Sequence, residues 1–335
     1  MVASEQLSSP RPDHVPARTL RIAKGHGTEN DFVIVPDPDG QLELSPRTVA
    51  ALCDRRAGVG GDGVLRVVRC RCLPEGRSLA DRAEWFMDYR NADGSLAEMC
   101  GNGIRVFLRY LLRHGLADLP EGAVLDIGTR AGIKRMRREG ELFSVDLGRW
   151  SLPGGAAALA TGGDVRVLVH GRELPRPGLR VRVGNPHVVT RLDDLAQLSD
   201  ALLDREPELD PLPAKGANVE LVVRTDVPDV SDVPEGVGAP EGAGRISMRV
   251  HERGSGETRS CGTGVVAAAL ATRALAGPTA PRNWVVDVPG GRLEVRISGD
   301  DPLEGEGVLL VGPALLVADG FLEPSWWNSL AVAVR

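Results

Sequence analysis

Two cysteines in this 335-residue chain stand in matching settings, Cys100-Gly-Asn-Gly103 and Cys261-Gly-Thr-Gly264. Each is followed by an apolar run, Ile104 to Leu112 in the first case and Val265 to Leu270 in the second, which reads as a helix starting at the glycine. A cysteine ahead of a helix N-terminus meets unpaired backbone N–H groups and the positive end of the helix dipole. That setting lowers a thiol pKa and favours the thiolate. A glycine-rich capping turn with a small buried cysteine would explain either device alone. Two devices, about half a chain apart, point instead to a matched pair of proton-transfer groups. The flanking glycines also expose N–H groups as a nest that suits an anion such as a carboxylate.

Other residues could serve the same chemistry. Glu252 and Arg253 precede the second device, and on an extended segment they point to opposite sides. From a loop, both reach an amino-acid zwitterion, the carboxylate to the ammonium and the guanidinium to the carboxylate. Asn30, Asn91, Asn185 and Asn218 lie in turn-like contexts, where asparagine singly satisfies its own backbone. His187, in Gly184-Asn-Pro-His187, reads as a base, a metal ligand or a structural hydrogen-bonding group. Gly58-Val-Gly-Gly-Asp-Gly63 is a weak phosphate-loop signal, since it lacks Lys-Ser/Thr and leads into a strand.

Composition narrows the class. The chain is 42% hydrophobic and 26% charged with a net charge of −6, so it reads as globular and large enough for two domains. Aromatics make up only 4%, which predicts cores of Val, Leu, Ile and Ala. The acidic balance argues against nucleic acid as a partner, and Lys134-Arg-Met-Arg-Arg138 reads as a solvated face. Five cysteines, with Cys53, Cys70 and Cys72 read as ordinary buried or strand residues, fit a reducing compartment and no zinc spacing. No apolar stretch is long enough for a membrane span, so a cytoplasmic location is expected. Residues 1–17 read as a disordered tail.

The elements that must position these groups are mostly strands. Strands are expected at Leu20–Lys24, Asp31–Val35, Val64–Arg71, Trp85–Tyr89, Leu125–Ile127, Ile133–Arg138 and Leu142–Leu147. A helix is expected around Pro46–Arg55, and the first device's helix runs to about His114. After a break at Pro153-Gly-Gly-Ala-Ala157, strands follow at Val165–Val169, Leu179–Val183, Val188–Arg191, Val219–Val223 and Ile246–Val250. The second device's helix runs to about Leu275, followed by strands at Trp284–Val288, Leu293–Ile297 and Gly307–Val311. Strand clusters that each enclose one apolar helix predict two related α+β halves. Thr225–Gly244, rich in Pro, Gly, Asp and Glu, reads as a flexible hairpin insertion.

The chain resembles the diaminopimelate epimerases. The matching segments are Lys24–Phe32, Asp54–Gly63, Asn91–Ser95, Glu98–Arg105, Gly184–His187, Asn218–Glu220, Glu252–Gly264 and Val311–Ala314, in family order. The resemblance implies an α+β fold of two pseudo-symmetric domains, each a barrel-like, mostly antiparallel sheet around a central helix. It implies that residues 18–149 with 312–335 form one domain and 150–311 the other, with the active site between them. It implies cofactor-independent epimerisation of LL- to meso-diaminopimelate, in lysine and peptidoglycan-precursor synthesis, by a homodimer. Cys100 and Cys261 then match the acid–base pair, supported by His187 and Glu252. Gly101, Asn102, Gly262 and Thr263 match the carboxylate-holding backbone, and Asn30, Asn91, Asn185, Asn218 and Arg253 match substrate-binding positions. No metal or pyridoxal is called for. Three rivals stay open: a racemase of another amino acid, a non-catalytic binder and a thiol–disulfide protein.

Overall fold

The computed structural model describes residues 19–225 and 242–332, and the proposed N-terminal tail and most of the Thr225–Gly244 insertion lie outside them. The first half comprises β1 (Arg21–Gly27), β2 (Asn30–Pro36), α1 (Pro46–Cys53), β3 (Gly63–Arg69), β4 (Trp85–Asn91), α2 (Gly101–Arg113), β5 (Leu125–Thr129), β6 (Gly132–Glu139) and β7 (Leu142–Asp146). A link of β8 (Trp150–Ser151) and α3 (Gly155–Thr161) follows. The second half holds β9 (Val165–Leu168), β10 (Arg176–Val183), β11 (Asn185–Arg191), α4 (Leu195–Ser199), β12 (Glu208–Asp210), β13 (Asn218–Arg224) and β14 (Gly244–Glu252). It continues through β15 (Gly256–Thr258), α5 (Gly262–Ala276), β16 (Asn283–Val288), β17 (Gly291–Ile297), β18 (Glu304–Gly305) and β19 (Val308–Gly312). The chain closes with β20 (Leu315–Phe321) and α6 (Pro324–Val332).

Strand pairing reveals a repeat in full. From β1 to β7 the successive partners are antiparallel, parallel, antiparallel, parallel, antiparallel and antiparallel. The series β10, β11, β13, β14, β16, β17, β19 repeats that order. The helix α2 falls between β4 and β5, and α5 falls at the corresponding place between β14 and β16. The equivalent strands β7 and β19 then pair with each other, antiparallel, so the two half-sheets join into one. After β19 the chain returns to the first half, where β20 pairs with β1 and Trp326 and Trp327 pack beside Val33, Leu44 and Leu52.

Each long helix is the core of its own half. Ile104, Val106, Phe107, Leu108 and Leu111 of α2 are buried, and so is every residue of α5 from Gly262 to Ala274. A helix buried all round must be apolar all round, and the small Val and Ala side chains of α5 let strands close around it. No described helix is long and apolar enough to cross a membrane.

The expected strands are present with shifted ends, and two readings need correction. The strand at Val64 stops at Arg69: the Cys70 amide makes one last bond in the β3–β4 register, to Glu84 O, and Cys70–Cys72 then forms a 3-10 turn closed by the Leu73 amide on Cys70 O. The break at Pro153 contains the short helix α3. β8, β12, β15 and β18, two or three residues each, are too short for any periodic signal.

Candidate functional site at two abutting helix N-termini

α2 and α5 meet head to head. A Cβ on Gly262 would lie 3.1 Å from Gly101 Cα and 3.2 Å from the Asn102 nitrogen, so only glycine permits this approach. Cys100 and Cys261 are the N-cap residues, both with extended backbone. Cys100 Sγ accepts from the Gly103 amide at 3.4 Å and donates to Asn30 Oδ1 at 3.6 Å. Cys261 Sγ lies 3.6 Å from Thr263 Oγ1 and 3.9 Å from Asn218 Nδ2.

The expected low thiol pKa is overturned. Burial pushes the Cys100 thiol up to about 11, and the Gly103 and Asn102 amides and Arg105 only partly counter it. Burial pushes Cys261 well above the ordinary thiol value too, aided by the nearby Glu252 and Glu220 carboxylates and opposed by the Gly264 amide and Thr263. The helix-end effect is present with the anticipated sign; desolvation is larger. Glu252 is raised too, by burial, although Thr258 and the Cys261 thiol donate to it. Its bond from Thr258 Oγ1 is 2.5 Å long.

The two halves share one electrostatic site. Glu252 of the second half raises the Cys100 thiol of the first. Tyr89, at the end of β4, is pushed well above its ordinary value by burial and then by Cys100, Glu252 and Cys261 together. Polar bonds also stitch the halves. Asn102 Nδ2 donates to Ser260 O at 3.1 Å and to Asn30 Oδ1 at 3.2 Å, and Thr28 Oγ1 donates to Ser260 Oγ at 2.7 Å. Thr28 and Glu29 form the β1–β2 turn at φ 49° and 60°, a conformation that a β-branched residue rarely adopts.

Asparagine orientations follow from their partners. Asn30 Nδ2 donates to Asp62 Oδ2 at 2.7 Å, which turns its Oδ1 toward Cys100 and Asn102. Asp62 is itself held by Arg55 at 2.7 Å, so the Gly58–Gly63 loop serves as the scaffold of Asn30. Asn218 Oδ1 accepts from the Arg253 amide at 3.0 Å, which turns its Nδ2 toward Cys261. Arg253 stands in the turn just after β14, and its side chain bonds to Lys215 O. Asn91 stays in its own turn, donating to Ser95 Oγ at 2.9 Å, and Asn185 is exposed at the rim beside Gly184, which lies next to Thr263.

His187 is buried, with Nδ1 2.7 Å from Glu220 Oε1. It comes to the site because His187, Asn218, Glu220 and Glu252 occupy one face of adjacent strands, the face covered by α5. Glu220 carried no site assignment in the sequence, nor did Arg105, Asp62, Tyr89 or Ser260. Arg105 and Glu220 do leave a trace, each a charge flanked on both sides by apolar residues, Ile104 and Val106 in one case and Val219 and Leu221 in the other. The described residues include no group of three or more His, Cys, Asp or Glu placed to hold a metal ion.

Comparison with known proteins agrees with this geometry. The chain shares 47% identity over 319 residues with the diaminopimelate epimerase of Streptomyces coelicolor, covering 92% of this chain and 98% of that one. It shares 47% over 309 residues with the diaminopimelate epimerase of Thermobifida fusca, covering 90% and 97%. Among solved structures, a Bacillus anthracis PhzF-family phenazine biosynthesis protein superposes with TM-score 0.62 at 16% identity, over 91% of this chain and 99% of that one. A hydroxyproline epimerase from Agrobacterium vitis superposes with TM-score 0.58 at 12% identity, over 94% and 98%. Both support the two-half α+β fold. The diaminopimelate epimerase family model matches residues 22–152 and 179–317, one segment in each half, and the chain belongs to that family.

Proposed function

We propose that the protein epimerises LL-diaminopimelate to meso-diaminopimelate by proton transfer between Cys100 and Cys261, in lysine and peptidoglycan-precursor synthesis. The observation that carries this reading is the pair of cysteine N-caps on helix ends that abut at Gly101 and Gly262. Inverting a carbon needs a base on one face and an acid on the other. One cysteine, as thiolate, takes the α-proton; the other, as thiol, gives its proton to the opposite face. The reverse reaction exchanges the roles, and the pair titrates as a unit. Both thiols are raised by burial, so each thiolate is a strong base once formed.

The backbone N–H groups of Gly101, Asn102, Gly262 and Thr263 would hold the carboxylate at the reacting carbon, where the two helix ends stabilise charge spreading onto it. Asn30 and Asn218 each point one amide end at a catalytic sulfur and so sit at the reacting end. Asn91, Asn185 and Arg253 would serve the far amino-acid end, with Glu252 toward an ammonium and His187 in support. The proton transfers themselves call on neither a metal nor an organic cofactor.

The same reading assigns residues 18–149 with 312–335 to one domain and 150–311 to the other, in keeping with the return of β20 to β1. A cytoplasmic homodimer is part of it; exposed Leu315, Val317 and Phe321 on β20 offer an apolar strip for a second copy. The test is turnover of diaminopimelate in D2O. Wild type incorporates deuterium at the α-carbon, and C100S and C261S each lose about 10³-fold in kcat. Full activity in both variants would sink the two-cysteine mechanism. Turnover of proline or hydroxyproline with none of diaminopimelate would move the substrate assignment to another racemase.

A further inference from the structure

The internal repeat allows the floors beneath the two cysteines to be compared position by position. In the first half Phe32 pairs with Gly63 across β2–β3; in the second His187 pairs with Asn218 across β11–β13. Two residues further along β3 and β13 stand Leu65 and Glu220. The third helical residue makes the match explicit. A Cβ on Gly103 would lie 3.2 Å from Leu65 Cδ2, 3.4 Å from Phe32 Cζ and 3.4 Å from Cys100 Cβ. A Cβ on Gly264 would lie 2.7 Å from Glu220 Oε1, 3.2 Å from Cys261 Cβ and 3.4 Å from Cys261 Sγ. The repeat keeps the backbone and changes the chemistry. Cys100 stands over an apolar Phe–Leu floor, Cys261 over an ionisable His–Glu floor.

Packing does not account for the difference. His187 and Glu220 side chains are both fully buried, and their far atoms, His187 Nε2 and Glu220 Oε2, are without a hydrogen-bond partner among the described residues. A buried ionisable pair is no more stable than well-packed apolar residues of like volume, and the first half achieves the same architecture with the apolar version. Directly opposite the pair the neighbouring strands present apolar residues, Val181 of β10 against His187 and Val250 of β14 against Glu220. The titratable groups that face the pair are Glu252 of β14 and Cys261 of α5.

We propose that Glu220 is a positioning residue for the epimerisation: by fixing His187 through Nδ1 and placing its carboxylate beside Gly264, it makes the two cysteines unequal and holds the proton on Cys261 more firmly than on Cys100. The proposal rests on the assignment of Cys100 and Cys261 as the acid–base pair. The Nδ1–H donates to the carboxylate, which sets the tautomer and leaves Nε2 facing the buried cluster. A carboxylate next to Cys261, with none in the equivalent place under Cys100, disfavours the thiolate on that side alone. Cys100 is then the more readily deprotonated of the two; for each centre the cysteine facing the α-proton removes it and the one on the opposite face supplies the new proton, so the roles still exchange with direction.

The test is pH-dependent iodoacetamide labelling of each cysteine in the full-length protein, its rate followed by peptide mass spectrometry between pH 6 and 11, with movement of a midpoint read as displacement of the log-rate–pH line along the pH axis. E220Q retains an acceptor for Nδ1 and loses the charge. Its Cys261 labelling midpoint falls by about one pH unit relative to wild type, while that of Cys100 stays in place. H187Q leaves the carboxylate without its imidazole, and its Cys261 midpoint moves the other way. E220D, which keeps the charge, stays near wild type. In turnover, E220Q loses kcat at nearly unchanged KM. Unchanged Cys261 midpoints in E220Q and H187Q, or equal movement of both cysteines, would overturn the proposal; if one variant does not fold, the other still decides. Labelling needs no substrate, so a wild type inactive on diaminopimelate would refute the substrate assignment while leaving this result readable.

Discussion

Arg105 offers the sharpest separation of folding from function. It lies on α2 five residues beyond Cys100, fully buried, and no carboxylate among the described residues pairs with it. Its guanidinium donates to Gly101 O and Asn102 Oδ1, each at 2.9 Å, and to Pro313 O at 3.4 Å. Burial lowers its pKa from 12.5 to about 10, which amounts to about 3 kcal/mol against folding wherever both states are charged. The sign follows from a base whose folded pKa is depressed: this penalty holds below about pH 10 and fades above it. R105M relieves it but strands two buried acceptors, at roughly 1–3 kcal/mol each. The net change in stability is therefore small, roughly 3 kcal/mol or less. The effect on catalysis is not small. Asn102 loses the bond that turns its Nδ2 toward Ser260, and the reacting carboxylate loses the fixed cation behind its helix end. A fall in kcat/KM of about 10²-fold is expected, the usual loss for one preorganised group. R105K, which keeps the charge but cannot span both acceptors, lies between. Thermal unfolding and α-deuterium exchange measure the two effects separately. An R105M protein that folds and stays within threefold of wild-type kcat/KM refutes the reasoning.

Three further outcomes are expected. The difference in 240 nm absorbance between the wild type and a C100S/C261S double variant shows no thiolate at pH 8 and emerges with Cys100 near pH 11. Because these acids have folded pKa values above the unfolded ones, wild-type stability declines between about pH 8.5 and pH 11 relative to that variant; a flat difference contradicts the assignment. In G262A, the new methyl meets Gly101 Cα and Leu310 Cδ2 at 3.1 Å, so the helix ends must part. A loss of about 1–3 kcal/mol in stability and a larger proportional loss in kcat are expected. Unimpaired turnover in G262A would show that the close approach is dispensable.

How much of this was legible in the sequence depended on range. Strands such as Val64–Val68 and the alanine-rich body of α5 declare themselves through local pattern, and the two Cys-Gly-x-Gly devices fix both helix starts. The Asn30 amide could not be oriented from sequence, because its direction is set by Asp62 in a loop that reads locally as a weak phosphate binder. Glu220 looked like one polar residue in a strand. Its meaning comes from the parallel pairing of β11 with β13, a register between segments separated by a helix and a loop. The thiol pKa misled for the same reason: the helix end is a local term, whereas burial and the carboxylates of β13 and β14 are tertiary.

The return of β20 to β1 also bears on how the molecule is made. Arg21 and Asp319 bond across that pairing although they lie 298 positions apart. Closing so long a loop is slow relative to forming local contacts. A nascent chain therefore carries β1 with one edge open until β20 has been made and released, whatever its equilibrium stability. Truncation near residue 314 would accordingly leave a sheet edge available for aggregation, although the segment removed supplies none of the residues assigned to the site.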